Sequence, residues 1–181
     1  MWCWRQYSVL QKIGGGVVDY HAIEGSESIV AGLWSKYTDL KAKIVIADFT
    51  ENIPFDSQFD LIVDRASLTH NKTKSIKKSL SLIYNHLMPS GKYIGIDWFS
   101  TLHSDFINGE STDDRYTRCN YSDGQFANVG QVHFSNEKHL KNLFSNFEIE
   151  IMELKTVQRK FPTSGHIFAS WNLVARKGDE K

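Results

Sequence analysis

The stretch Phe59-Asp60-Leu61-Ile62-Val63-Asp64-Arg65-Ala66-Ser67-Leu68-Thr69-His70-Asn71 decides how the rest of the chain reads. Residues 59–63 form a short, mostly apolar run that stops at Asp64-Arg65. Such a run suits a strand buried on both faces, and the charged stop suits a strand's carboxyl end opening on a cleft. In open α/β sheets, ligands bind outside the carboxyl ends of the strands. The neighbouring segments repeat the pattern. Residues 17–24 read as a strand closing on Glu24, 43–47 as one closing on Asp48-Phe49, and 93–96 as one closing on Asp97-Trp98.

Helical segments separate these strands. Ser26 is a candidate N-cap, with Glu27 placed against the helix dipole. From there to Tyr37, Val30, Leu33, Trp34 and Tyr37 share one face at 3.6-residue spacing. Thr73 is a candidate cap for the next helix, in which Ile76, Leu80, Ile83 and Leu87 form an apolar stripe. Met88-Pro89-Ser90-Gly91 then reads as a turn. The order strand–helix–strand–strand–helix–strand predicts an α/β fold with a Rossmann-like, doubly wound, mostly parallel sheet.

The periodicity lapses over residues 101–133, a polar segment that still holds Phe106, Tyr116, Tyr121 and Phe126. Its aromatic residues suit an insertion that packs as a lid over the cleft. Ser135 is a candidate cap for a helix with Leu140, Leu143, Phe144 and Phe147 on one face. Residues 147–154 nearly alternate, and 166–176 read as a more buried strand. Together they predict a C-terminal antiparallel hairpin at the sheet's edge. Before all of this, residues 5–13 suit a short helix stopped by Gly14-Gly15-Gly16. A phosphate loop needs a strand before its glycines and a helix after them; here the order is reversed.

The 181 residues suit one domain, 1–181. Lys+Arg and Asp+Glu number 21 each, so the zero net charge gives no electrostatic drive toward nucleic acid or an anionic membrane. The two cysteines, Cys3 and Cys119, match no metal spacing and suit reduced thiols. No apolar run approaches the roughly 18 residues of a membrane helix, and the first residues lack a signal peptide's apolar core. A cytoplasmic protein is the expectation.

A polar residue often follows a buried strand simply because the chain has reached water. Four carboxylates in series carry more weight. A carboxylate ending a strand before Gly25-Ser26 and a helix is placed to accept both hydroxyls of a ribose. Asp48 suits an exocyclic amine of adenine, with Phe49 against the ring.

Ile23-Glu24-Gly25-Ser26, Ala47-Asp48-Phe49 before Ile53-Pro54-Phe55, the stretch 59–71, and Leu87 to Gly91 before Ile96-Asp97-Trp98 resemble the class I S-adenosylmethionine-dependent methyltransferases. The resemblance covers residues 17–100, and the final helix and hairpin suit the same fold. It implies methyl transfer from S-adenosylmethionine to a small-molecule acceptor, largely by holding the reactants in line. It implies cofactor contacts from Glu24, Gly25, Ser26, Asp48, Phe49, Asp64, Arg65 and Ala66, with no catalytic residue or metal required. A base is optional, and His70 and Asp97 are the candidates. The family also has a first strand and a G-x-G-x-G turn before its first helix. The matching place is residues 1–5, where Trp-Cys-Trp stands instead, so an amino-terminally shortened member is the expectation. The alternative is a non-catalytic scaffold acting through protein association. A nicotinamide-dependent dehydrogenase also uses an acidic strand end, but no strand here leads into G-x-G-x-x-G.

Overall fold

Local chemistry sets the first helix. β1 (Ala22–Glu24) runs into α1 (Glu27–Lys36), capped by Ser26, whose Oγ accepts from the Ile29 N–H at 3.5 Å. Glu27 and Lys36 sit at the helix ends that favour their charges. Val30 and Leu33 are buried with Tyr20, Ala22 and Ile44, and Trp34 and Tyr37 pack against them, as the helical spacing predicts. β2 (Ile44–Ile46) pairs with β1 in parallel, Ala22 opposite Ile44 and Glu24 opposite Ile46. The computed structural model describes residues 19–40 and 43–179. The expected helix at 5–13, the glycine triplet and residues 1–5 lie outside them. The chain forms two compact units, one reaching to Asp56 and one starting at Ser57.

The second unit opens on β3 (Phe59–Arg65), which continues in register through the two charged residues expected to end it. Leu61, Ile62 and Val63 are half-buried, and Asp64 is the buried residue of the strand. α2 (Thr73–His86) buries Ile76, Leu80 and Ile83. Thr73 is its first residue and not its cap. The Asp114 carboxylate, from the insertion, accepts the Thr73 N–H at 2.6 Å and satisfies the helix start.

β4 (Leu87–Phe99) lies parallel to β3. The expected turn at 88–91 is a bulge inside this strand: Phe59 faces Leu87, but Leu61 already faces Lys92. Gly91 is essential to the bulge, since a Cβ there would stand 2.8 Å from the Met88 carbonyl oxygen and 3.0 Å from that of Phe59. Both obstacles are backbone, so Gly91→Ala is expected to lose about 2 kcal/mol of stability in urea titrations.

Residues 101–133 fold onto this unit. β5 (Glu110–Ser111), β6 (Thr117–Cys119) and β7 (Gln131–His133) form a small antiparallel sheet. Tyr121, Phe126 and Val132 join Phe99 and Phe134 in a buried cluster, with Phe106 against it. α3 (Glu137–Leu143) is capped by Asn136, whose Oδ1 accepts the His139 N–H at 2.8 Å. Ser135, the expected cap, is instead bridged to Ser100. β8 (Glu148–Gln158) and β9 (Ile167–Arg176) form the expected hairpin, giving the order β3-β4-β9-β8 with β4 antiparallel to β9. No helix of the described residues is long and apolar enough to cross a membrane.

Candidate functional site

In the first unit, Glu24 ends β1 and Asp48 follows β2 by two residues, so both lie at the carboxyl edge of one parallel pair. Glu24 is half-buried, and its Oε1 accepts the Ser26 N–H at 3.0 Å. That bond aims the carboxylate across the turn at the start of α1. Oε2 takes no hydrogen bond among the described residues. Asp48 is exposed, and its Oδ1 accepts from the Thr50 N–H at 2.8 Å and hydroxyl at 2.7 Å. Phe49 beside it is half-buried. Two carboxylates oriented by their own turns, next to an aromatic ring, line this edge. Its chemistry fits a ribose and an amino-substituted base.

In the second unit, the carboxyl edge of β3 and β4 is bonded differently. Asp64 is 8% exposed and saturated. Its Oδ1 accepts the Ser67 and Leu68 N–H groups at 3.0 and 3.3 Å, and its Oδ2 accepts the Tyr93 hydroxyl at 3.2 Å and the Trp98 indole N–H at 2.9 Å. Burial raises its carboxyl above the usual aspartate value, against the pull of those bonds. Arg65 Nε donates to Asp97 Oδ2 at 3.0 Å, a terminal nitrogen of the same guanidinium lies 2.9 Å from that oxygen as an ion pair, and Lys155 reaches Asp97 Oδ1 at 2.5 Å. For Asp97, burial pushes the carboxyl up, but the Lys155 and Arg65 contacts outweigh it and leave it below the usual range. Ala66 holds a left-handed φ of 56° and packs against the Phe99 cluster.

His70 follows in a short 3-10 turn, Leu68–His70. Its Nδ1 lies 3.3 Å from the Gln131 carbonyl oxygen, which requires an N–H there and leaves the lone pair on Nε2. Burial lowers its pKa, so the ring is neutral at pH 7. His70 therefore has a base's tautomer. Asp97, the other candidate base, is committed to two cations.

Two clusters escaped the sequence reading. Asp114, His133 and His139 meet beneath β6 and β7: the two Nε2 atoms are 3.1 Å apart, and Tyr116 stacks on His139 at 3.6 Å. His103, Asp105 and His166 also converge, with His166 Nε2 3.4 Å and His103 Nδ1 3.8 Å from Asp105 Oδ2. His103 Nδ1 accepts the Asp105 N–H, and its Nε2 lies 2.8 Å from Gln125, so His103 caps this turn. His-Ser-Asp at 103–105 was the local signal, but His166 comes from the far side of the chain.

No protein-family model matches the chain, and no curated protein matches it by sequence. Solved structures do match. An S-adenosylmethionine-dependent methyltransferase from Methanosarcina mazei superposes with a TM-score of 0.66 at 16% identity, covering 87% of this chain and 81% of its own. A putative methyltransferase from Bacillus halodurans gives 0.63 at 16%, covering 95% and 88%. An S-adenosylmethionine-dependent methyltransferase from Clostridium acetobutylicum gives 0.60 at 13%, covering 97% and 99%. The chain has the class I methyltransferase fold: Rossmann-like α/β with parallel strand pairs and a C-terminal antiparallel hairpin.

Proposed function

We propose that the chain is an S-adenosylmethionine-dependent methyltransferase acting on a small molecule. The observation that carries this reading is the oriented pair Glu24 and Asp48 at one carboxyl edge, in a fold that methyltransferases use. Glu24 accepts the ribose hydroxyls through Oε2, with Gly25 and Ser26 as the turn that aims it. Asp48 accepts from the adenine amine, and Phe49 packs on the ring. When bound, the cofactor supplies a methyl group activated on a sulfonium. Of the residues that the resemblance assigns to the cofactor in the second unit, Asp64 and Arg65 have their side chains committed internally, and the Ala66 N–H is donated to the Ile96 carbonyl. His70 Nε2 is the group suited to hold a proton from the acceptor.

Calorimetric titration with S-adenosylmethionine tests the reading. Glu24→Ala is expected to weaken binding at least tenfold, about 1.4 kcal/mol, with unchanged circular dichroism. Absence of binding by the native chain overturns it. That result favours the second reading, a non-catalytic scaffold, to which the closed Arg65–Asp97–Lys155 bonding already lends support.

A further inference from the structure

Among the described residues, β8 is the terminal strand of its sheet, paired on one side with β9. Unlike a protected edge, it is long and carries Ile151, Leu154 and Val157 at 48, 41 and 55% exposure. Its charges are segregated along its length. Glu148 and Glu150, paired within the chain to Arg176 and Lys92, and Glu153 occupy the first half, Lys155 the second, and Arg159 and Lys160 follow just beyond the strand. A segment acidic at one end and basic at the other complements an antiparallel copy of itself.

The register can be worked out. Opposed residues of an antiparallel pair both turn their backbone groups toward the partner or both away. A two-fold axis between identical strands therefore falls on a residue. With Glu153 on the axis, Glu opposes Glu; with Lys155, Lys opposes Lys; both are unfavourable. With Met152 there, Glu153 opposes Ile151; with Thr156, Lys155 opposes Val157. Leu154 on the axis matches every position: Leu154 with itself, Glu153 with Lys155, whose ammonium also reaches Asp97 in its own chain, Met152 with Thr156, Ile151 with Val157. Alternation keeps the two Ile151–Val157 pairs and the two Glu153–Lys155 pairs on one face.

We propose that β8 is a self-recognition edge, through which two copies of the chain pair antiparallel over residues 151–157 about a two-fold axis at Leu154. The two sheets then continue into one another, and the apolar side chains of the edge are covered. Isologous pairing of this kind is closed, so assembly stops at two copies.

Sedimentation of the purified chain at micromolar concentration is expected to give a dimer. Glu153→Lys places lysine opposite Lys155 on both sides of the axis and is expected to weaken association at least tenfold. Cross-linking fixes the register, in a Cys3→Ser, Cys119→Ser background. A short thiol-to-thiol linker is expected to join two Leu154→Cys chains. It is expected to leave Gln158→Cys chains unlinked, because that position and its copy lie about 27 Å apart at ~3.4 Å per residue. A monomer at every concentration overturns the proposal. So does a dimer in which Leu154→Cys fails to link or Gln158→Cys links.

Discussion

Asp64→Ala is expected to destabilise the fold by about 3 kcal/mol, the largest effect of any single substitution considered. The carboxylate is the common acceptor for four donors: the Ser67 and Leu68 N–H groups, the Tyr93 hydroxyl and the Trp98 indole. Tyr93 and Trp98 are fully buried, and a buried donor left without an acceptor costs about 1–3 kcal/mol. Burial of the carboxylate works the other way, and removing it returns part of that loss. Asp64→Asn keeps the volume and one acceptor oxygen. It turns an amide N–H₂ either toward the backbone donors, which do not accept, or toward the side where the Tyr93 hydroxyl can accept but the indole cannot. An intermediate loss of about 1–2 kcal/mol is expected there. Urea titration at pH 7 checks both. A loss under about 0.5 kcal/mol for Asp64→Ala would show that the four donors find other partners.

Acidification from pH 7 to pH 5 is expected to weaken the protein. Burial lowers His133 to about 3, with His139 adding to the shift, and lowers His139 and His103 each to about 4; His70 shifts the same way. Each folded-state value lies below the unfolded one near 6.5. The neutral rings therefore contribute stability that is present above pH 6.5 and lost as pH falls toward 4. In that window the unfolded chain binds protons that the folded chain does not, at about 1.4 kcal/mol per pH unit per histidine. Because His133 and His139 touch through their Nε2 atoms, they count as one group and His103 as a second. Moving from pH 6 to pH 5 is then expected to cost about 2–3 kcal/mol. Asp64 opposes this, since a raised carboxyl loses stability as pH rises. Asp114, held to about 2 against the push of burial by its bonds from Thr73, Tyr116 and Thr117, matters only below pH 4. Unfolding titrations at pH 7, 6 and 5 read the slope, and His133→Gln is expected to flatten it. A pH-independent midpoint over that range would contradict the assignment.

The same residues mark where sequence reading succeeds and stops. Local signals carried far: Ser26 caps its helix, Val30 and Leu33 are buried, Glu24 ends one of two parallel strands and Asp48 follows the other by two residues, and 167–176 is the inner strand of a hairpin. Each depends on neighbours within a few residues, where spacing and side-chain chemistry suffice. Residue identity at strand ends also sufficed to point to the fold that the solved structures share.

Bonding partners were another matter. Asp64 read as a charge facing a cleft, yet its acceptors are filled by Tyr93 and Trp98, about thirty residues away on β4. Thr73 read as a cap, yet the cap is Asp114, forty-one residues on. The segment 101–133 read as irregular because its strands are two or three residues long, too short to show a period. A sequence records which groups a residue type can satisfy at short range. Which distant group reaches it first, and so whether a carboxylate stays open for a ligand or closes on its own chain, is decided only when the strands pair.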